Sequence, residues 1–186
     1  MRASVVVPVY NSEQTLEDLV SELVDVLAQC SAAHEILLID DGSTDGSWGV
    51  IEAIVATTAG VRAIRLTRNF GEHNAVLCGI RAARHEVIVT VGDDLQQPPS
   101  EIPVLLDALV AGTDVVYGTP VRERHGHARV LVSRVSKLAL ASVGGVPGAT
   151  TLSSFRAFRT ELRDSFGVVA GPRCSVDVLL MRATRR

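Results

Sequence analysis

Two adjacent carboxylates, Asp93 and Asp94, follow the apolar run 87–91 (VIVTV) after a single glycine, and Leu95-Gln96-Gln97-Pro98-Pro99 comes next. A β-branched run of this kind is the pattern of a strand buried on both faces, so the acids fall where its carboxyl end emerges. No Lys or Arg lies close by in sequence, and the two charges repel unless a cation neutralises them. A divalent ion bridging carboxylate oxygens to a substrate diphosphate meets that need. A solvated acidic turn ahead of a Pro-initiated helix produces the same pattern through capping and dipole effects alone. Two more strand exits carry residues able to do chemistry. Residues 4–9 (SVVVPV) run into Tyr10-Asn11, and residues 35–40 (EILLID) end in the pair Asp40-Asp41 before Gly42-Ser43. Taken singly, these read as an edge aromatic and an ordinary Asp-Gly-Ser turn. A tyrosine and two acid pairs at three strand ends point instead to one ligand crevice, since open α/β sheets bind ligands outside the carboxyl ends of their strands.

The elements that would carry these exits are readable from apolar spacing. Leu16, Leu19, Val20, Leu23, Val26 and Leu27 form one face of a helix, with Asn11 and Gln14 at capping-box spacing ahead of it. Ile51, Ile54 and Val55 mark a second helix, residues 61–66 a third strand and residues 75–83 a third helix. The central strand covers 86–91. Residues 99–111 predict a helix with proline in first position, and residues 114–117 (DVVY) a fifth strand. Strands near 4, 35, 61, 86 and 114, each separated by a helix, predict right-handed βαβ crossovers. The expected fold class is therefore α/β, a mostly parallel central sheet with helices on both faces. Beyond Gly118 the rhythm weakens. Residues 118–129 are polar and basic and predict a loop; residues 130–143 predict a helix; residues 153–159 suit a strand of either direction.

Composition sets the class. The chain has 186 residues, 47% hydrophobic and 21% charged, enough for one domain with a core. A net charge of −3 argues against a nucleic-acid partner. Cys30, Cys78 and Cys174 are odd in number and far apart, which fits a reducing compartment better than a disulfide framework or a zinc site. With a strand from Ser4 and no apolar run of spanning length, the expectation is a soluble, cytoplasmic protein. There is no GxGxxG after the first strand, no GxxxxGK[ST], no GxSxG and no HExxH, and the acid pair follows the second strand, where a response-regulator receiver would carry it after the first. His125 and His127 read as loop residues.

The segments PVYNSEQTLEDLV, IDDGSTDGS, LTRNFGEHNAVLCGI and VGDDLQQPPSEIPVLLDAL resemble, in this order, the inverting family-two glycosyltransferases of GT-A fold. The pairing of RNFG with DLQxPP is similar above all to the polyprenyl-phosphate branch, which includes dolichyl-phosphate mannose synthases and undecaprenyl-phosphate sugar transferases. The resemblance implies a UDP- or GDP-sugar donor bound by Pro8, Tyr10, Asn11, Asp40, Asp41, Arg68 and Asp93. It implies Mg²⁺ or Mn²⁺ on Asp94 and Gln96, with Asp93 and Asp94 as the catalytic acids. Arg122, Arg124 and Arg156 would meet donor or acceptor phosphates. The branch reads Asp-x-Asp-Leu-Gln where this chain has Gly92 at the first acid position. The implied acceptor is a lipid phosphate, reached at the inner face of the cell membrane by peripheral association. Such an acceptor is already ionised, so no base is named. A saccharide or other hydroxyl acceptor, and a non-catalytic nucleotide-sugar-binding module, are the alternatives. Residues 1–186 are expected to form one GT-A domain, nucleotide-binding over 1–118 and acceptor-facing over 119–186. Domains of this branch usually run further, so a piece of a longer chain is expected.

Overall fold

A computed structural model of the chain describes residues 1–109, 113–121, 129–135, 154–166 and 175–184. Strand β1 (Arg2–Val9) lies between β2 (Ala33–Asp40) and β4 (Val87–Thr90), with β3 (Val61–Arg65) outside β2, and all four run parallel. Helices α1 (Leu16–Cys30), α2 (Ser47–Thr57) and α3 (Glu72–Ala82) make the crossovers between them. A 3-10 turn at Pro99–Glu101 leads into α4 (Ile102–Ala108), and β5 (Val115–Val121) follows. The later strands are β6 (Arg129–Val135) and β7 (Arg156–Arg159), and the last helix is α5 (Val176–Ala183). The sheet order is β3-β2-β1-β4-β7-β5-β6. Strand β7 is inserted antiparallel between β4 and β5, and β6 pairs antiparallel with β5.

The expected α/β class is what the chain adopts. Alternation along the strands feeds two cores. On one face Val5, Val7, Ile36, Leu38 and Val89 pack under α1, α2 and α4 through Leu16, Leu19, Leu23, Ile51, Ile102 and Leu105. On the other, Val6, Leu37, Ile39, Ile88 and Phe158 pack under α3 and α5 through Val76, Ile80, Leu179 and Leu180. Each fully buried Leu or Ile contributes about 1.5–3 kcal/mol of transfer free energy, so both faces must be covered.

Three local expectations are corrected. Residues 129–135 (RVLVSRV) form β6, not the first turns of a helix, because β-branched residues satisfy a ladder against β5 from Val115↔Val135 to Val121↔Arg129. Strand β5 accordingly extends through Val121, into a stretch whose polarity predicts a loop. The proposed capping box does not form. Helix α1 starts at Leu16 behind Thr15, while the side chain of Asn11 accepts from the Thr44 amide at 2.8 Å.

At the amino edge of the sheet Glu35 is 5% exposed. It accepts from Ser4 Oγ, Arg62 Nη1 and the Arg84 amide, each at 2.7 Å. Burial opposes its ionisation, but those donors outweigh it and hold the carboxyl below the usual range. A depressed carboxyl stabilises the fold above its unfolded pKa, and that contribution is lost as pH falls through the folded value. Glu35→Gln is therefore expected to lower stability at neutral pH by about 1–3 kcal/mol, with the gap to the parent closing on acidification. Urea unfolding at about pH 7 and about pH 3, on either side of the ordinary glutamate range, checks both parts.

Candidate active site

Register brings the three exits level. Val9 pairs with Asp40 and Val6 with Thr90, so the residues after β1, β2 and β4 emerge side by side. Pro8, Val9, Tyr10, Asp41, Asn69, Gly71, Glu72, Gly92, Asp93, Asp94 and Ser154 line a pocket of about 280 Å³ there. It is open to solvent and sits at the small end of ligand cavities.

The pocket is built by side chains that staple loops to one another. Asp93 Oδ2 accepts from the Tyr10 amide at 3.0 Å and from the Ser12 hydroxyl, and the Asp93 carbonyl accepts from Thr15 Oγ1 at 2.7 Å. The exit of β4 is thereby tied to the exit of β1. Asp41 is 2% exposed, and its two oxygens accept from the Phe70 and Gly71 amides, each at 2.8 Å. It shapes the loop ahead of α3 and, since a carboxylate offers about four acceptor sites, retains acceptor capacity at the pocket's edge. Gly42, at φ +72°, lets that loop close over the turn. Asn11 adopts φ 54°, a left-handed geometry asparagine tolerates, and its amide donates to Ser43 Oγ at 3.0 Å.

The structure brings together Pro8, Tyr10, Asp41, Asp93 and Asp94 and leaves other candidates outside. Asp40 is fully buried; its Oδ1 accepts from the Ser43 amide at 3.1 Å and its Oδ2 lies 3.4 Å from Arg65 Nε. It holds the turn and does not line the pocket. Arg68 stacks on the Phe70 ring at 4.8 Å and is not itself among the lining residues. Arg122 and Arg124 lie outside the described residues.

Arg156 requires correction. It is 1% exposed, paired with Asp177 of α5, and its Nε donates to Thr90 Oγ1 at 3.2 Å. A guanidinium enclosed in this way is committed to the core and is not offered to an acceptor phosphate. Tyr117 lies beside the pair; burial, reinforced by the charge on Asp177, pushes its phenol up.

The segment after Asp94 turns unexpectedly. Leu95 adopts φ 56°, uncommon for a non-glycine residue, and rotates the glutamines that follow. The Gln96 amide donates to Asp94 Oδ1 at 3.1 Å, while its side chain does not line the pocket. Gln97 is not among the lining residues either, but its side-chain oxygen lies against Gly92. A Cβ placed on Gly92 would lie 3.2 Å from Asp94 Oδ1 and 3.4 Å from Gln97 Oε1, so the two oxygens converge on that glycine. Gln97 Oε1 is buried without a hydrogen-bond partner. Among the described residues no three His, Cys, Asp or Glu side chains form a metal cluster. The donor set that suits a hard divalent ion here is one carboxylate and an orphaned amide oxygen.

Sequence reasoning missed Ser12, Thr15, Asn69, Glu72, Gln97 and Ser154. Gln97 had a signal in its place next to the anticipated ligand, Asn69 and Glu72 in the LTRNFGEHNAVLCGI segment, and Ser154 in lying two residues before Arg156.

A family model described as Glycosyl transferase family 2 matches residues 4–164. The undecaprenyl-phosphate 4-deoxy-4-formamido-L-arabinose transferase of Aeromonas hydrophila subsp. hydrophila is 37% identical over 164 residues, covering 87% of this chain and 50% of that protein. The chain spans about half the length of the curated relatives it matches. Among solved structures, S. aureus TarS 1-349 in complex with UDP-GlcNAc superposes with a TM-score of 0.66 at 20% identity, over 98% of this chain and 53% of that one. Glucosyl-3-phosphoglycerate synthase from Mycobacterium tuberculosis, in complex with Mn²⁺, UDP and phosphoglyceric acid, gives 0.59 at 23% identity, over 88% and 57%. These similarities show the fold.

Proposed function

Because this chain belongs to glycosyl transferase family 2, we propose that it moves a sugar from a nucleoside-diphosphate donor to a polyprenyl phosphate, with inversion at the anomeric carbon. The observation that carries the reading is the convergence of Tyr10, Asp41, Asp93 and Asp94 in one open pocket at the carboxyl edge of β1, β2 and β4. The names of the relatives support the acceptor class. In this reading the half-exposed ring of Tyr10 and the free lone pairs of Asp41 flank the base and ribose. Asp93 keeps the β1 and β4 exits together, which fixes the donor's place relative to Asp94. Mg²⁺ or Mn²⁺ would be held by Asp94 and Gln97, where it would offset the negative charge growing on the departing diphosphate. A lipid phosphate is its own nucleophile, so the pocket needs no dedicated base. Among the described residues no helix is long and apolar enough to cross a membrane. The lipid acceptor of this reading would be reached at the inner face of the cell membrane.

Calorimetric titration with UDP and with GDP, in the presence and absence of Mn²⁺, tests the donor site. Binding that the ion tightens is expected, and no binding by either nucleotide under any condition would sink the reading. Binding without transfer to undecaprenyl phosphate would identify a nucleotide-sugar-binding module instead.

Gly92 gives a sharper test of the ion site. It does not occupy the left-handed region, so Asp is compatible with its backbone. Gly92→Asp places a third donor among the oxygens of Asp94 and Gln97. It should tighten Mn²⁺ by about tenfold, the equivalent of one favourable ligand of roughly 1.4 kcal/mol, and lower the stability of the ion-free protein by like-charge repulsion. Unchanged Mn²⁺ affinity together with unchanged melting would show that no ion sits at this glycine.

A further inference from the structure

Helix α5 lies beyond the residues matched by the family model, yet it reaches the pocket through buried polar contacts. Asp177, in its first turn, pairs with Arg156 of β7. Arg156 stands opposite Thr90 in the β4–β7 ladder and donates to its hydroxyl at 3.2 Å. The Thr90 hydroxyl in turn donates to the carbonyl of Ser154, and Ser154 lines the pocket. Thr90 also ends β4, two residues before Gly92 and three before Asp93. Every group in the relay is a strong donor or acceptor. Asp177 and Arg156 are nine-tenths or more buried, so each has few alternatives to its present partner.

We propose that this relay makes Thr90 and Arg156 positioning residues for the nucleotide. Asp177 aims Arg156, Arg156 orients the Thr90 hydroxyl, and that hydroxyl sets the Ser154 wall against the Gly92–Asp94 exit. The inference rests on the donor reading above and extends it to a helix outside the family match. A wall displaced by even a fraction of an ångström changes the fit of a bound diphosphate, whereas a role confined to stability changes only melting.

Thr90→Val keeps the shape of the side chain and its strand preference while removing the hydroxyl; Thr90→Ser keeps the hydroxyl. Titration of the parent and both variants with UDP and GDP in the presence of Mn²⁺, alongside thermal melting and amide hydrogen exchange, tests the relay. Thr90→Val should weaken binding by about tenfold, the scale on which remote mispositioning acts, while still melting cooperatively. Thr90→Ser should bind as the parent does. Equal affinity in the parent and Thr90→Val would overturn the proposal and leave the donor reading intact. If the parent binds neither nucleotide, the donor reading fails and exchange judges the relay. Protection lost at residues 91–94 in Thr90→Val and kept in Thr90→Ser would support it, and unchanged protection in both would overturn it.

Discussion

Arg156→Ala should lower the stability of the folded chain by about 3–5 kcal/mol, the cost of leaving a buried charge without its partner. The residue is the largest fully buried side chain among those described, and its removal strands the Asp177 carboxylate at the base of α5. It also opens a void beside Phe158 and Tyr117, which adds to the loss. The double replacement Arg156→Met with Asp177→Leu removes both charges at once and should recover much of the stability, because an apolar pair of similar volume has no desolvation cost to repay. Denaturant unfolding of the single and double variants checks this. A single variant within about 1 kcal/mol of the parent, the ordinary effect of an exposed ion pair, would show that the pair is not enclosed.

Gly42→Ala is expected to be comparably severe for a different reason. The residue sits at φ +72°, and a Cβ there would fall 2.6 Å from the Arg68 carbonyl carbon and 2.7 Å from the Asn69 nitrogen. The neighbours are backbone atoms, which cannot swing aside. Left-handed strain of about 1–2 kcal/mol adds to an overpacking cost of about 1–3 kcal/mol. Relief requires the 68–71 loop to move away, which breaks the two amide contacts of Asp41. Thermal melting should fall, and nucleotide affinity should fall with it. Gly49→Ala serves as the control, since nothing lies within 4 Å of the added methyl.

The parts of this molecule that declare themselves in sequence are those with a local period. The apolar stripe of α1, the β-branched run of β4 and the acids at strand ends all emerge from spacing alone, and register then brings the exits together. What stays hidden depends on partners distant in the chain. Ser154 reaches the pocket only because β7 inserts beside β4, a pairing without a sequence period. Arg156 stands as a phosphate-binding candidate by resemblance until Asp177 is placed against it in the core. The inward glutamine is 97, not 96, because Leu95 takes a left-handed turn that no composition rule predicts. The misread stretch at 129–135 shows tertiary pairing overriding a helical pattern.

The insertion of β7 also fixes an order of events during synthesis. Thr90 waits for a partner strand 66 residues further along, at Arg156. At ~5–20 residues per second the ribosome leaves β4 with an open apolar edge for about 3–13 seconds. An unpaired edge of Val87, Ile88, Val89 and Thr90 is a template for pairing with another nascent chain. The pocket is thus a late-arriving feature of an otherwise early N-terminal fold, closed only once the Ser154 wall has been made. A chain halted before that point presents a sticky half-sheet, and it is expected to aggregate.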